Sequence, residues 1–110
     1  MIAVITTLPD KETAKAIARK LVEKNLAACV NIIPTEKSIY RWKGKIEEAN
    51  EILLLIKTTK TQYPGLETEI RANHPYELPE IIYFEIKGGS NEYLDWVRKC
   101  CPIRQISKKQ

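Results

Sequence analysis

The run Ile52-Leu53-Leu54-Leu55-Ile56 constrains this chain more than any other stretch. It lies between Glu51 and Lys57-Thr58 and offers no polar side chain to water. Read as a long strand from Glu51 to Thr58, it is apolar on both faces, because successive residues of a strand point to opposite sides. Any fold that uses this strand must cover its sheet twice.

The rest of the sequence supplies one of the two covers. Ile2 to Thr6 is a short β-branched run that reads as a first, central strand. Pro9-Asp10 breaks it, and Asp10 can cap a helix. Ala14, Ile17, Ala18, Leu21 and Val22 then recur at helical spacing, with Lys11, Lys15, Arg19, Glu23 and Lys24 on the other side. That pattern predicts an amphipathic helix stopped at Asn25, a residue that tolerates the left-handed conformation. Leu26 to Ile33 reads as a second, mostly buried strand ended by Pro34. Ser38 to Trp42 alternates, and Lys43-Gly44-Lys45 is a turn signal. The second and third strands thus form a hairpin with an elaborated tip between Pro34 and Asn50.

Tyr63, Leu66 and Ile70 mark a second helix, with Pro64 in its first turn and His74-Pro75 at its end. A proline-bracketed segment, His74 to Glu80, leads into a last strand, Ile81 to Ile86. Gly88-Gly89 closes that strand. Ser90 then caps a helix carrying Tyr93, Leu94, Trp96, Val97 and Cys101. The order is β-α-β-β-α-β plus one helix, an α/β (α+β) fold of the ferredoxin-like split βαβ plan. Right-handed crossovers put both main helices on one face of an antiparallel sheet. The other face keeps Leu53, Leu55 and alternate residues of the last strand, so it calls for a partner, and self-assembly is the economical one.

A chain of 110 residues is the size of one domain. We expect that domain over 1–101, with a basic C-terminal tail over 102–110. The net charge of +4 belongs to the end of the chain. Arg98, Lys99, Arg104, Lys108 and Lys109 meet no acidic residue there, and the rest holds 13 basic against 14 acidic residues. This distribution argues against a nucleic-acid partner. No run approaches the ~20 apolar residues of a membrane span, and Met1 to Ile5 does not read as a signal peptide. Three cysteines, two of them the adjacent Cys100 and Cys101, draw no secreted disulfide framework. They point to a reducing compartment. Cys29, inside Leu26 to Val30, reads as a small buried hydrophobe, which leaves Cys100 or Cys101 as the reactive thiol.

Functions that this plan hosts each need their own residues. An RNA-recognition sheet needs aromatics on its third strand, and Ile52 to Thr58 has none. A copper chaperone of this plan needs Cys-x-x-Cys after the first strand, where this chain has Thr6-Thr7-Leu8-Pro9-Asp10. His74 is the only histidine, and no Ser-His-Asp set or Gly-rich phosphate loop accompanies it. Glu77 and Glu80 are the carboxylates available for acid-base work. We therefore expect no enzyme. His74 has two readings: a helix-ending ring packed under Pro75 and Tyr76, or a metal ligand aided by Glu77, Glu80 or Cys29. Tyr40 and Trp42, at the hairpin tip, are expected to pack on a neighbouring subunit.

Several blocks, in this order, resemble the divalent-ion tolerance (CutA) family from Val4 to about Trp96. They are Leu26-Ala27-Ala28-Cys29-Val30-Asn31-Ile32, Ser38-Ile39-Tyr40-Arg41-Trp42-Lys43-Gly44-Lys45, Ile56-Lys57-Thr58, His74-Pro75-Tyr76-Glu77-Leu78-Pro79-Glu80-Ile81 and Tyr93-Leu94-Asp95-Trp96. The resemblance implies a cytoplasmic ferredoxin-like homotrimer, its sheets packed around a central axis, tied to tolerance of copper and other divalent ions. It implies no required cofactor. Some relatives add a cysteine near the end of the first strand and a histidine before the His-Pro pair. Here those positions are Thr6 and Asn73, so only His74 remains and ion binding is expected to be weak. The architecture is also similar to that of PII-type signalling proteins. That likeness implies an alternative, a small anionic ligand held between subunits where Lys57, Tyr76, Glu77 and Glu80 meet.

Overall fold

The computed structural model describes residues 1–103. Of the basic tail, Arg104, Lys108 and Lys109 lie outside the described residues. Strand β1 (Ile2–Leu8) leads into helix α1 (Lys11–Glu23). The Asp10 carboxylate accepts the Thr13 N–H at 2.8 Å, and this bond holds the Asp10 carboxyl below the usual range. Asn25 adopts φ 60°, which turns the chain back so that the Leu26 N–H reaches the Leu21 carbonyl at 2.9 Å. Strand β2 (Cys29–Pro34) follows, then β3 (Ser38–Trp42) and β4 (Lys45–Ala49), and then β5 (Ile52–Thr58). Helix α2 (Tyr63–Asn73), strand β6 (Ile82–Glu85) and helix α3 (Asn91–Cys100) complete the described chain.

The main sheet has the order β2-β5-β1-β6. Every pair is antiparallel, and β1 is central as its β-branched run predicts. The register pairs Ile2 with Thr58 and Leu8 with Ile52, so Val4, Leu54 and Ile56 share one face. Ala14, Ile17, Ala18 and Leu21 of α1 and Leu66 and Ile70 of α2 close over that face as a single core. Each fully buried Leu or Ile there stabilises the fold by about 1.5–3 kcal/mol. This is the ferredoxin-like plan, with both crossover helices on the same side.

The opposite face is open in the single chain. Ile33, Leu53, Leu55, Ile5, Ile82 and Phe84 lie on it by strand alternation. Ile82 is 47% exposed and Phe84 54% exposed. Strands β3 and β4 form a second sheet of their own, joined by Lys43 at φ 50° and Gly44 at φ 82°. Two consecutive positive φ angles suit a tight hairpin turn, and an isolated two-stranded ribbon is marginal in water. Ile39 and Ile46 stand exposed on this ribbon. Among the described residues, no helix is long and apolar enough to cross a membrane.

Several expectations need correction. Strand β2 is not mostly buried: it is a sheet edge, and Ile32 and Ile33 are exposed. Cys29 is half-buried, because alternation points it to the open face opposite Lys57. The buried thiol is Cys101, which is 3% exposed, lies 3.6 Å from Thr58 Oγ1 and is pushed up in pKa by burial. Val22 is 42% exposed, since the core stripe of α1 ends at Leu21. Of the apolar residues carried by α3, only Val97 is fully buried within the helix itself.

Candidate functional site

One end of β5 organises the site. Thr35 clamps the backbone of Glu51: its N–H donates to the Glu51 carbonyl at 2.9 Å, its hydroxyl donates to the same carbonyl at 2.8 Å, and its Oγ1 accepts the Glu51 N–H at 3.2 Å. Glu51 shares the parity of Leu53 and Leu55, so its side chain rises on the open face. There the Tyr76 hydroxyl donates to Glu51 Oε2 at 2.7 Å. Glu51 is only 8% exposed. Burial and the adjacent carboxylate both push the Tyr76 phenol well above its ordinary value, so it stays a proton donor.

Tyr76 is positioned by the end of α2. His74 leaves the helix at φ −84°, ψ 132°, the extended conformation that Pro75 imposes on its predecessor. Its ring then makes two bonds. Nδ1 accepts the Tyr76 N–H at 3.2 Å, which puts the proton on Nε2, and Nε2 donates to the Thr7 carbonyl at 2.9 Å. The rings of His74 and Tyr76 stand 5.0 Å apart. Burial lowers the His74 pKa, and the Thr7 carbonyl and Glu51 only partly oppose it.

These residues line a cavity of about 690 Å³ between the β3–β4 ribbon and the 75–80 segment. Ser38, Ile39, Tyr40 and Trp42 come from the ribbon, Thr7 from β1, and Pro75, Tyr76, Glu77, Leu78 and Glu80 from the connection. Tyr40 and Trp42, expected from the sequence at a subunit contact, thus line the same cavity as Tyr76, Glu77 and Glu80, expected at a ligand cleft. His74 stands behind the wall rather than in it. Glu51, Ser38 and Thr7 escape sequence reasoning; Glu51 looks there like the solvated end of a strand.

Lys57 does not join this group within the chain. It lies at the far end of β5, roughly 20 Å from Glu51 at about 3.3 Å per residue, where its ammonium bonds Asn31 Oδ1 and approaches Cys29 Sγ at 3.8 Å. Cys29 pairs with Lys57, whereas Thr7 pairs with Leu53, so Cys29 is remote from His74. The alternative anion site therefore loses its only base in the single chain, and its cavity is lined by carboxylates.

The donors also do not fit a tightly held metal. Both His74 nitrogens are engaged, and among the described residues no three His, Cys, Asp or Glu side chains form a group that could hold an ion. At the two positions where the family resemblance directs attention to further ligands, Thr6 is buried in the sheet and Asn73 binds elsewhere. The Asn73 amide donates to the Glu69 carbonyl at 2.8 Å and accepts from Lys20 at 2.8 Å.

The sequence and the fold have close counterparts. The family described as CutA1 divalent ion tolerance protein matches residues 2–100. The divalent-cation tolerance protein CutA of Thermus thermophilus is 51% identical over 96 residues, 87% of this chain and 93% of that protein. Human protein CutA is 50% identical over 97 residues, 88% of this chain but 54% of the human protein, so the chain spans about half of that relative's length. Among solved structures, a divalent cation tolerance protein (Cut A1) from Thermus thermophilus superposes with a TM-score of 0.89 at 48% identity, covering 93% of this chain and 100% of that one. A match of this length runs through β1, the ribbon, β5 and the 75–80 segment alike, and it makes the chain a member of the CutA1 divalent ion tolerance family.

Proposed function

We propose that this protein is a non-enzymatic homotrimer of the cytoplasm that serves divalent-ion tolerance, copper included, through loose ion contact near His74. The observation that carries the assembly is the open sheet face. One side of the sheet is closed by α1 and α2, while Ile33, Ile82 and Phe84 stay exposed on the other. A second copy of the same apolar face covers them without exposing new surface, and the ribbon bearing Tyr40 and Trp42 gains a neighbour to pack on. Three subunits is the number drawn from the family resemblance. The free thiols of Cys29, Cys100 and Cys101 suit a reducing compartment.

Loose ion contact follows from the state of the ring. To ligate, His74 must give up either the Thr7 carbonyl or the Tyr76 N–H, and either loss offsets what a metal–nitrogen bond supplies. Glu77 and Glu80 stand nearby as oxygen donors on the cavity wall. Copper(II) gains more than zinc from any such nitrogen site. Calorimetric titration of the parent and of His74→Ala with both ions tests this reading. Weak binding by the parent that His74→Ala abolishes is the expected result. Equal binding by both proteins removes His74 from the site, and tight stoichiometric binding by the parent contradicts a loose contact.

A further inference from the structure

We infer that the β3–β4 ribbon is a preset arm, held at its angle to the main sheet by a latch of Thr35 on Glu51. The latch is a property of the single chain. Its consequence for association rests on the assembly proposal and deepens it, because the angle of the arm decides where Tyr40 and Trp42 meet a neighbour.

The latch sits where one ladder becomes two. Strands β2 and β5 are paired as far as Pro34 and Ile52, and β3 and β4 take up the pairing at Ser38 and Ala49. The stretch 35–37 thus stands opposite the shorter stretch 50–51, with one residue more on the outgoing strand. An extra residue of this kind is a β-bulge, which interrupts the ladder and bends the strand that carries it. Beyond the bulge, among the described residues, the ribbon shares no ladder with the main sheet, and its strands pack chiefly on each other. Few bonds therefore set its angle.

Those bonds converge on Glu51. The Thr35 hydroxyl accepts the Glu51 N–H at 3.2 Å and donates to the Glu51 carbonyl at 2.8 Å, so one atom bridges the two backbone groups that the bulge takes out of the ladder. A hydroxyl can do this because it both donates and accepts. A second tie crosses beside it, from the Asn50 amide to the Glu36 carbonyl at 2.7 Å. A third leaves the Glu51 side chain, which accepts the Tyr76 hydroxyl and fastens the root of the ribbon to the 75–80 segment. Glu51 is buried, whereas the next link outward, the Lys37–Glu48 ion pair at 3.8 Å, is exposed and holds little. An arm already at its working angle loses less freedom when it meets a neighbour, so the latch favours association without touching the other copy.

Thr35→Val removes the hydroxyl and keeps the shape, and Thr35→Ser keeps the hydroxyl and should behave as the parent. Thr68→Val, which loses a hydroxyl bonded to the Pro64 carbonyl in α2, controls for the loss of a hydroxyl as such. Sedimentation of the parent is read first and by itself, so a monomeric parent ends the assembly proposal and leaves the latch to be judged alone. With a monomeric parent, the residual dipolar couplings of the β3–β4 amides should shrink at least about twofold relative to those of β1 and β5 in Thr35→Val only. With an assembled parent, the dissociation constant should rise at least about tenfold in Thr35→Val only. An unchanged value in a folded Thr35→Val protein overturns the inference, as does an equal change in Thr68→Val or in Thr35→Ser. If Thr35→Val does not fold, Asn50→Ala, which cuts the exposed tie to Glu36, carries the same test: a shift in the same direction supports the latch, and no shift overturns it.

Discussion

Replacing Phe84 with Ala removes the most exposed aromatic of the open sheet face and leaves the subunit core untouched. Phe84 is 54% exposed in one chain and pairs with Ala3 at the β6 edge. An aromatic side chain presents ~150–250 Å², so the open part is on the order of 100 Å², worth about 2.5 kcal/mol at ~25 cal/mol per Å² if assembly covers it. Summed over three subunits this reaches about 7 kcal/mol, an upper bound that corresponds to roughly five orders of magnitude in the trimer dissociation constant. Val22→Ala is the matched control, because Val22 is 42% exposed but lies on the outer side of α1. Sedimentation equilibrium across a concentration series should show Phe84→Ala dissociating where the parent and Val22→Ala do not. Identical behaviour of Phe84→Ala and the parent refutes the reasoning, and dissociation of Val22→Ala moves the interface to the helix layer.

Three further outcomes follow from the site and the thiols. The native His74 pKa lies below its ordinary 6.5, so the unfolded chain takes up a proton that the folded ring resists. Stability should therefore fall as pH drops through 6.5 toward the native value, and denaturation midpoints measured over this range should fall less steeply in His74→Asn; equal slopes would clear His74 of the effect. Tyr76→Phe leaves Glu51 without its donor, at a cost of about 1–3 kcal/mol that a urea melt reads, and an unchanged melt would mean water satisfies the carboxylate. Cys101 should label only after denaturant is added, whereas Cys100 labels in native buffer; mass mapping that finds Cys101 modified first contradicts the packing of α3 onto β5.

Much of the fold is legible in the sequence because local and tertiary preferences agree there. Asp10, Asn25, Ser90 and Pro75 each mark a boundary for a local reason, and the structure uses each for that reason. The doubly apolar β5 foretells an open face. The central place of β1 is read correctly, but the burial of β2 is not. Leu26 to Ile33 reads as buried, yet β2 is an edge, and the composition of a strand does not say which neighbours it has. Cys29 is half-buried for the same reason, while Cys101 is buried by a contact with Thr58 that spans 43 positions of sequence. Strand β4 hides behind Lys45-Ile46-Glu47-Glu48-Ala49, whose charges suit an exposed ribbon. The site divides the same way: the His-Pro-Tyr segment announces itself, but Glu51 is buried by a contact with Tyr76 that spans 25 positions of sequence.

The central claim, that the open sheet face is closed by copies of the same chain, is tested most directly by the mass of the parent protein in solution. Sedimentation equilibrium at low micromolar concentration should return a single species of three times the 12.7 kDa chain, unchanged on dilution. A single species of 12.7 kDa would contradict the account, because Ile33, Ile82 and Phe84 would then face water with nothing to cover them.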